Sequence, residues 1–516
     1  MTADLILAGG LIRPLGRHGL RPVSHLAALH GRVAAVGGRE VLDLRGRNTR
    51  HIELRGAAVL PGFNDAHCHV VYHGLSSFGA DLVGTRSIAE LQARIRAAAG
   101  RLPDGAWLQG RGYAETELAE GRPPTRRELD AATGSRPAFV DHRGGHARVA
   151  NSAALDAARL GPDTPDPPGG SLGRADDGTL TGLLTEAAMR LVADVQPPPS
   201  IEQREIGILR AQRRLTSFGV TSVGAAVNRG FADDLRAYAR LESRGRLHIR
   251  INEFLSLELL DAATRLGLTT GVGSDRLRIG PVKVFVDGGA STGTAAFRGS
   301  PIRWRTTPEE LREIVARAHA AGLQVATHCV GDAAVEAMIA AVELAQARDG
   351  AVLRHRVEHC AVCPADLRLR MAAAGMAAVM QPLFAPFARE GLGRPTGPAD
   401  PADVCPQREL LRAGVVVAFS SDLPFTTDSN PWTGLSAAVA DPSAPLTTLQ
   451  ALQAYTDAGS WTSFEERVKG TLEPGRLADF QVYAGDPLAP RPATWKDHRP
   501  DVVAVSGSPI YTRRKR

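Results

Sequence analysis

Leu323-Gln-Val-Ala-Thr-His-Cys-Val-Gly-Asp-Ala-Ala-Val-Glu-Ala-Met-Ile-Ala-Ala-Val342 changes its hydrophobic rhythm halfway along. Leu323 to Thr327 is a short apolar run of the length that a buried strand needs. Beyond Gly331, the residues Val335, Met338, Ile339 and Val342 recur at i, i+3, i+4 and i+7, which places them along one face of a helix. Asp332 stands where a helix-capping carboxylate is expected. His328 falls between the two halves, just past the strand. A strand, a polar turn and an amphipathic helix make the repeating unit of parallel α/β folds.

The unit recurs in both directions along the chain. Strands are predicted at 57–64, 219–223, 248–255, 281–286, 323–327, 354–358, 376–381 and 415–419. The helix before the opening stretch carries Leu311, Ile314, Val315 and Ala318 at the same helical spacing. Eight strands alternating with helices predict a (β/α)8 TIM-like barrel over residues 58–465. One interval is too long: about 150 residues separate the first two strands, where later units recur every ~30–45. The excess, about 73–200, is read as an insertion forming a lid or subdomain, with its own helix at 88–99 and a Pro/Gly-rich stretch at 162–173. An insertion after a barrel strand emerges on the catalytic face. Residues 1–57 and 466–516 alternate short apolar runs with Gly- and Arg-rich breaks, and are expected to form one small β-sandwich domain from both termini.

Composition narrows the function classes. With 516 residues, 43% hydrophobic and 22% charged, the chain is neither disordered nor membrane-spanning. The start Met1-Thr-Ala-Asp-Leu-Ile-Leu reads as a strand and not a targeting segment, so a cytoplasmic location is expected. The net charge of +6 is spread singly, apart from the tail Arg513-Arg-Lys-Arg516, and is read as a solvated surface with no nucleic-acid partner and no membrane. Five cysteines (68, 329, 360, 363 and 405) are too few for a disulfide framework. Cys360-x-x-Cys363 is half of a zinc pattern without a second half. Only four of the 61 Lys and Arg residues are lysines, so Lys283 inside Pro281-Val-Lys-Val-Phe-Val286 is unexpected on composition.

His67 and His69 follow the first strand, two residues apart, so both rings can meet one ion. Chance supplies such a pair often. The context is stronger: Lys283, His328, His359 and Asp422 each lie in or just past a predicted strand, separated by 45, 31 and 63 residues. That register sets them on strands four, five, six and eight, at the C-terminal rim where barrel enzymes keep their chemistry. A lysine facing an apolar interior is pushed toward its neutral form. One reading is that the neutral amine captures carbon dioxide, giving a carbamate that bridges two metals; the other is an edge lysine or an ion pair with Asp287. Imidazole and carboxylate-like ligands suit zinc, manganese or iron, zinc first.

The chain resembles the amidohydrolase superfamily, specifically the subfamily that includes N-substituted formamide deformylases (amidohydrolase family 3). The resemblance runs nearly end to end, through Pro61-Gly-Phe-Asn-Asp-Ala-His-Cys-His69, Trp107-Leu-Gln-Gly-Arg-Gly-Tyr113, Gly145-His-Ala-Arg-Val-Ala-Asn-Ser152 and Gly219-Val-Thr-Ser-Val223. It continues through Lys283-Val-Phe-Val-Asp-Gly288, His328-Cys-Val-Gly-Asp332, Arg356-Val-Glu-His359, Ser421-Asp422 and Gly470-Thr-Leu-Glu-Pro-Gly-Arg-Leu-Ala-Asp-Phe480. The resemblance implies one metal held by His67, His69 and Asp422, a second held by His328 and His359, and a carboxylated Lys283 between them. It also implies hydrolysis of a C–N bond of a small molecule through a metal-bridging hydroxide, with Asp422 as the catalytic proton carrier. Ala225 departs from the pattern, standing where the family usually has Asp, and Ser420 stands where Gly is common.

Alternatives remain at this level. Gly289-Ala-Ser-Thr-Gly293 matches a serine nucleophile elbow, but the following residues lack helical periodicity. A mononuclear deaminase of the same superfamily dispenses with the bridging lysine, and a catalytically silent scaffold or binding member loses ligands that this chain keeps. His146 is a candidate substrate-binding residue from the insertion. Trp107, Tyr113, Phe384 and Phe387 are read as core packing ahead of an aromatic pocket, and His73 and His142 as surface. A small-molecule substrate is expected, with a homodimer as one open assembly.

Overall fold

The computed structural model describes residues 2–227, 232–290, 293–392, 400–426 and 428–513. Eight parallel strands form one sheet: β1 (Phe63–Cys68), β2 (Val220–Ala225), β3 (Arg250–Ser256), β4 (Leu277–Phe285), β5 (Val325–Cys329), β6 (Arg356–His359), β7 (Ala377–Met380) and β8 (Val416–Phe419). Each pairs with the next in chain order. The sheet curls into a barrel whose ends are drawn together where the Asp422 amide donates to the His67 carbonyl at 2.9 Å. The main apolar core lies between these strands and the helices around them.

The helices form for the reasons their spacing gives. In Pro308–Ala320, Thr307 and Glu310 make a capping box, Pro308 occupies the first turn, and Leu311, Val315 and Ala318 are buried. In Asp332–Asp349, Val335, Met338, Ile339 and Val342 are all buried, each worth roughly 1.5–3 kcal/mol before conformational entropy. Gly350 ends that helix in the left-handed region at φ 69. The cap differs from the expectation: Gly331 is the N-cap, and Asp332 turns its carboxylate to the amide of Arg298 at 3.0 Å.

The predicted first strand, 57–64, is two strands in two sheets. Ala58–Pro61 pairs with Phe480–Tyr483 and with Leu11–Ile12, whereas β1 begins at Phe63. The chain changes sheet at Gly62, where a β-carbon would lie 2.2 Å from the Thr221 hydroxyl oxygen. Periodicity cannot see that change, because the apolar run continues across it. The terminal strands hydrogen-bond as one branched sheet, with Leu5–Ile12 pairing both Arg50–Glu53 and Ala58–Pro61. Leu5, Leu7 and Leu26 from one wing share a core with Val59, Phe480 and Ala504 from the other, so the sheet packs on itself in sandwich fashion. Below the barrel, the Arg250 guanidinium pairs with Asp479 at 2.6 Å and the Lys469 ammonium with Glu465 at 2.8 Å, all four buried.

The insertion after β1 carries a six-stranded sheet in the order 170–174, 180–186, 147–150, 138–142, 108–113, 80–81. Its helix Ile88–Ala99 lies at the predicted residues, capped by Ser87. Two apolar clusters of its own stabilise it, one around Leu91, Leu108 and Leu129, the other around Phe139, Leu172 and Leu184. Tyr113 belongs to the first cluster and Trp107 packs on the second, as core residues.

Candidate metal centre

His67 is the penultimate residue of β1, and His69 is the N-cap of the helix Val70–Ser76 that follows. Asp422 lies three residues past β8, and both histidines and the aspartate are buried. The His67 Nε2 is 3.3 Å from His69 Nε2 and 3.4 Å from Asp422 Oδ1, and His69 Nε2 is 3.2 Å from the same oxygen. Among the described residues this is the one group of three or more His, Cys, Asp or Glu side chains whose ligand atoms come together. Cys360 and Cys363 are buried and take no part.

The protons of this group can be assigned. Glu358 accepts two hydrogen bonds from Arg356, at 2.8 and 3.0 Å, which keep it an anion. Its Oε2 is 2.5 Å from His67 Nδ1, so Nδ1 carries the hydrogen and Nε2 presents a lone pair. That lone pair faces Asp422 Oδ1, a buried oxygen with no hydrogen-bond partner. The His67 and Asp422 lone pairs, 3.4 Å apart in a dry site, repel unless a cation sits among them. The donor set therefore fits a divalent metal.

His328 in β5 and His359 at the end of β6 form a second pair, ring centroids 4.6 Å apart. The His328 Nε2–H donates to the Gly288 carbonyl at 3.2 Å, which leaves Nδ1 as its ligand nitrogen. The His359 Nδ1–H donates to Gln381 Oε1 at 2.9 Å, which leaves Nε2. The two groups adjoin, with the His67 and His359 rings 5.3 Å apart. Lys283 sits in β4 beside Ala326 of β5, its Nζ 4.9 Å from the Phe285 ring centroid. It makes no ion pair among the described residues. The alternative partner, Asp287, is spent on the backbone amides of Ala296, Val330 and Gly331.

Burial shapes the electrostatics. Desolvation, helped by the nearby Lys283 charge, holds His67 well below the ordinary histidine range, and burial with the His359 charge does the same for His328. Neutral imidazole is the form that binds metal. Burial lowers Lys283 to about 8, although the Glu358 and Asp422 charges oppose it. Burial would raise Asp422, but the imidazoles of His69, His67 and His359 outweigh it and hold the carboxyl at about 2. Burial pushes Asp65 up to about 7, even though it accepts from the Ser421 amide at 2.9 Å and the Ser421 hydroxyl at 2.5 Å. Two of these residues are also in left-handed backbone: His359 at φ 70 and Asp422 at φ 52. Such strain costs of order 1–3 kcal/mol each and gathers at functional sites.

Above these groups opens a cavity of about 870 Å³, lined by His69, Lys283, His328, His359 and Asp422 and walled by Phe384, Phe387, Phe425 and Met189. Phe384 and Phe387 thus line the cavity and are not core packing. The insertion supplies His146, 5.2 Å ring to ring from His328. His142, expected at the surface, is 9% exposed, lines the same cavity and meets Glu115 at 3.2 Å. His73 is half-buried, and its Nδ1 has no partner. Ala225 ends β2 beside Cys68, and the next residue, Ala226, lines the cavity. Ser291 of the elbow pattern lies outside the described residues.

Sequence reasoning overlooked Glu358, Gln381, Asp65 and Glu186. Glu358 left a signal: Arg356 and Glu358 are opposite charges two apart in a buried strand, which puts them on one face. Gln381 ends one predicted strand and Asp65 adjoins another, without a distinguishing pattern. Glu186 is 40 residues from its partner His146, beyond any local spacing rule.

The comparisons with known proteins agree with this geometry. Residues 50–511 match the model of the Amidohydrolase family. The N-substituted formamide deformylase of Arthrobacter pascens is 28% identical over 491 residues, 89% of each chain. The protein LONG AFTER FAR-RED 3 of Arabidopsis thaliana is 27% identical, over 99% of this chain and 92% of that one. The crystal structure of an uncharacterized metal-dependent hydrolase from Pyrococcus furiosus superposes with a TM-score of 0.76 at 29% identity, covering 94% of this chain and 99% of that one. With its barrel, its histidine–aspartate cluster and a match spanning most of its length, the chain belongs to the amidohydrolase family and is a hydrolase of that superfamily.

Proposed function

We propose that the protein hydrolyses an amide-type C–N bond of a small molecule at a centre of two divalent metal ions, zinc foremost. His67, His69 and Asp422 would hold one ion, His328 and His359 the other, with a carboxylated Lys283 between them. The observation that carries this reading is the convergence of His67 Nε2, His69 Nε2 and the unpartnered Asp422 Oδ1 beneath a large cavity. A relative named as an N-substituted formamide deformylase supports the choice of a C–N bond.

When bound, the ions supply the positive charge that makes a water nucleophilic near neutral pH and polarises a carbonyl. The remaining chemistry belongs to the chain. Asp422 is ionised, and with Oδ1 turned to the imidazoles its Oδ2 is the atom left to take a proton from the attacking water and return it to the departing amine. Glu358 fixes the His67 ring, and Gln381 fixes the His359 ring, so both present lone pairs inward. Lys283, at about 8, is partly neutral in mildly basic solution. Its free amine can form an N–C bond to carbon dioxide, losing a proton to give a carbamate. Phe384, Phe425 and Met189 give the cavity an apolar wall. Among the described residues no helix is long and apolar enough to cross a membrane.

The test is metal analysis of wild type and Lys283→Ala, paired with a screen of amide hydrolysis. Wild type is expected to hold about two ions per chain and to hydrolyse amides; Lys283→Ala should hold about one or none and be inactive. A wild type without metal, or a variant with unchanged metal content, overturns the two-ion reading.

A further inference from the structure

Away from the metal centre, most cations that line the cavity are matched by carboxylates. Arg148 pairs with Asp141 at 2.6 Å, His142 meets Glu115 at 3.2 Å, and Arg143 and Arg204 pair with Glu117 and Asp234. Arg190 and Arg305 break the pattern. Arg190 stands exposed at the cavity wall on the short helix Met189–Ala193, and its side chain makes no hydrogen bond or ion pair among the described residues. Arg305 donates through Nη1 to Glu186 at 3.2 Å, and its Nε and Nη2 have no partner among the described residues. Glu186 is divided, because it also meets His146 Nδ1 at 3.1 Å and accepts from the Thr294 hydroxyl. Asp194, one turn along from Arg190, already has a partner.

The acids here are hidden and the guanidiniums are not. The Glu186 side chain is 3% exposed, and Asp287 is fully buried and spent on backbone amides, whereas the Arg305 side chain is 25% exposed. Both guanidiniums stay charged, so the face offered to a ligand is cationic whichever charge His146 carries. Burial lowers Arg305 from the ordinary arginine value, against the Glu186 and Asp287 charges, and the Arg190 charge adds to the fall, which marks the two guanidiniums as neighbours. Arg305 is also rooted at the reacting rim. Its amide donates to the Val286 carbonyl at 3.0 Å, one residue past β4, and its Cζ lies 4.6 Å from the Phe285 ring centroid. Lys283 Nζ is 4.9 Å from the same centroid, so Cζ and Nζ are no more than 9.5 Å apart.

We infer that Arg190 and Arg305 form a carboxylate subsite, so that the amide this protein cuts is an anion whose carboxylate lies close to the scissile bond. The inference rests on the amide-hydrolase reading above. An anion between the two guanidiniums relieves their mutual repulsion and their lost hydration. A guanidinium edge holds a carboxylate with its carbon about 4 Å from Cζ, so a carboxylate turned toward the metal centre comes within about 5–6 Å of Lys283 Nζ. That is the reach of an acid on the carbon next to the scissile nitrogen. A phosphate dianion would exceed the single positive charge left once Glu186 is counted. The apolar wall of Phe384, Phe425 and Met189 takes the rest of the molecule.

The experiment compares racemic N-acetylphenylalanine with N-phenethylacetamide, the same amide without its carboxylate. Calorimetry reads binding to metal-free protein, kcat/KM reads hydrolysis by metal-loaded protein, and metal content is measured for wild type, Arg190→Met, Arg190→Lys and Arg305→Met. Wild type is expected to favour the acid about tenfold or more in both readouts. Each methionine variant should bring that preference down several-fold with metal retained, and Arg190→Lys, which keeps the charge, should recover part of it. Arg190 is exposed, so its variants decide the matter where Arg305→Met fails to fold. Equal binding and equal hydrolysis of the two amides by wild type overturn the inference while leaving the amide-hydrolase reading intact. A preference for the acid that survives removal of either arginine overturns the subsite. Inorganic phosphate binding metal-free protein more tightly than the acid, through Arg190, overturns the carboxylate. Hydrolysis of neither amide overturns the amide-hydrolase reading and the substrate class with it.

Discussion

Replacing Glu358 by Gln tests how the protein holds His67, the first of the proposed metal ligands. The carboxylate is fully buried and accepts three hydrogen bonds: two from Arg356, at 2.8 and 3.0 Å, and one from His67 Nδ1, at 2.5 Å. Gln can keep one oxygen for His67, but its amide group then points donor to donor at the guanidinium. The Arg356 arm loses its counter-charge, and a buried ion left unpaired costs about 3–5 kcal/mol of stability. On the His67 arm, a charge-assisted bond becomes a neutral one, a loss of about 1–1.5 kcal/mol, or roughly tenfold in metal affinity. Chelator competition reads the second quantity, and the unfolding midpoint of metal-free protein reads the first. The double variant Arg356→Met/Glu358→Met separates them: removing both charges should restore much of the stability while metal affinity stays at least about tenfold weak. Metal affinity within about twofold of wild type in both variants would refute the reasoning. Glu358 would then serve only to neutralise Arg356.

Two further outcomes follow from histidine and serine contacts. Burial lowers His355 to about 3 in the folded protein; its Nδ1 accepts the Val325 amide and its Nε2 meets His319. The unfolded chain takes up a proton below about 6.5 while the folded chain refuses it, so stability falls as pH drops from 6.5 toward 3. The loss from this group between pH about 7.5 and 5 is on the order of 2 kcal/mol, and His355→Gln should flatten the denaturant-midpoint profile by that amount; parallel profiles would remove His355 as the cause. Ser420→Ala takes away the hydroxyl that accepts from Gln381 Nε2 at 2.8 Å, loosening the His359 ring. The second metal equivalent should then yield to chelator several-fold more readily than in wild type, with the first unchanged; equal loss of both would point to general destabilisation.

Much of this was legible before any coordinates. The barrel follows from hydrophobic rhythm, because each strand-helix unit buries its own faces in fixed periods; the helix after β5 lies where its spacing puts it, and β5 itself runs two residues further along than 323–327 and takes in His328. His67, His69 and Asp422 come together because register places strand ends on one rim, which spacing reveals; that these three group together was what the family resemblance implied. What stayed hidden depends on contacts between distant segments. The change of sheet at Gly62 depends on Thr221 and on a strand near residue 480. The roles of Glu358 and Glu186 depend on which histidine each reaches, across 291 and 40 residues. Asp332 looked like a cap because its position allows one, but the amide of Arg298 claims it first.

The strand Ala58–Pro61, which leads directly into His67 and His69, pairs with Phe480–Tyr483, and Asp422 follows β8. A ribosome making this chain therefore exposes His67 and His69 long before their carboxylate partner exists. It releases the clamp on the leading strand only after the whole barrel has been made. The cluster of His67, His69 and Asp422 is thus complete only once residue 422 has been made. Translation stalled beyond the barrel but short of residue 480 should yield a nascent chain that has His67, His69 and Asp422 but whose leading strand is held by Leu11–Ile12 alone.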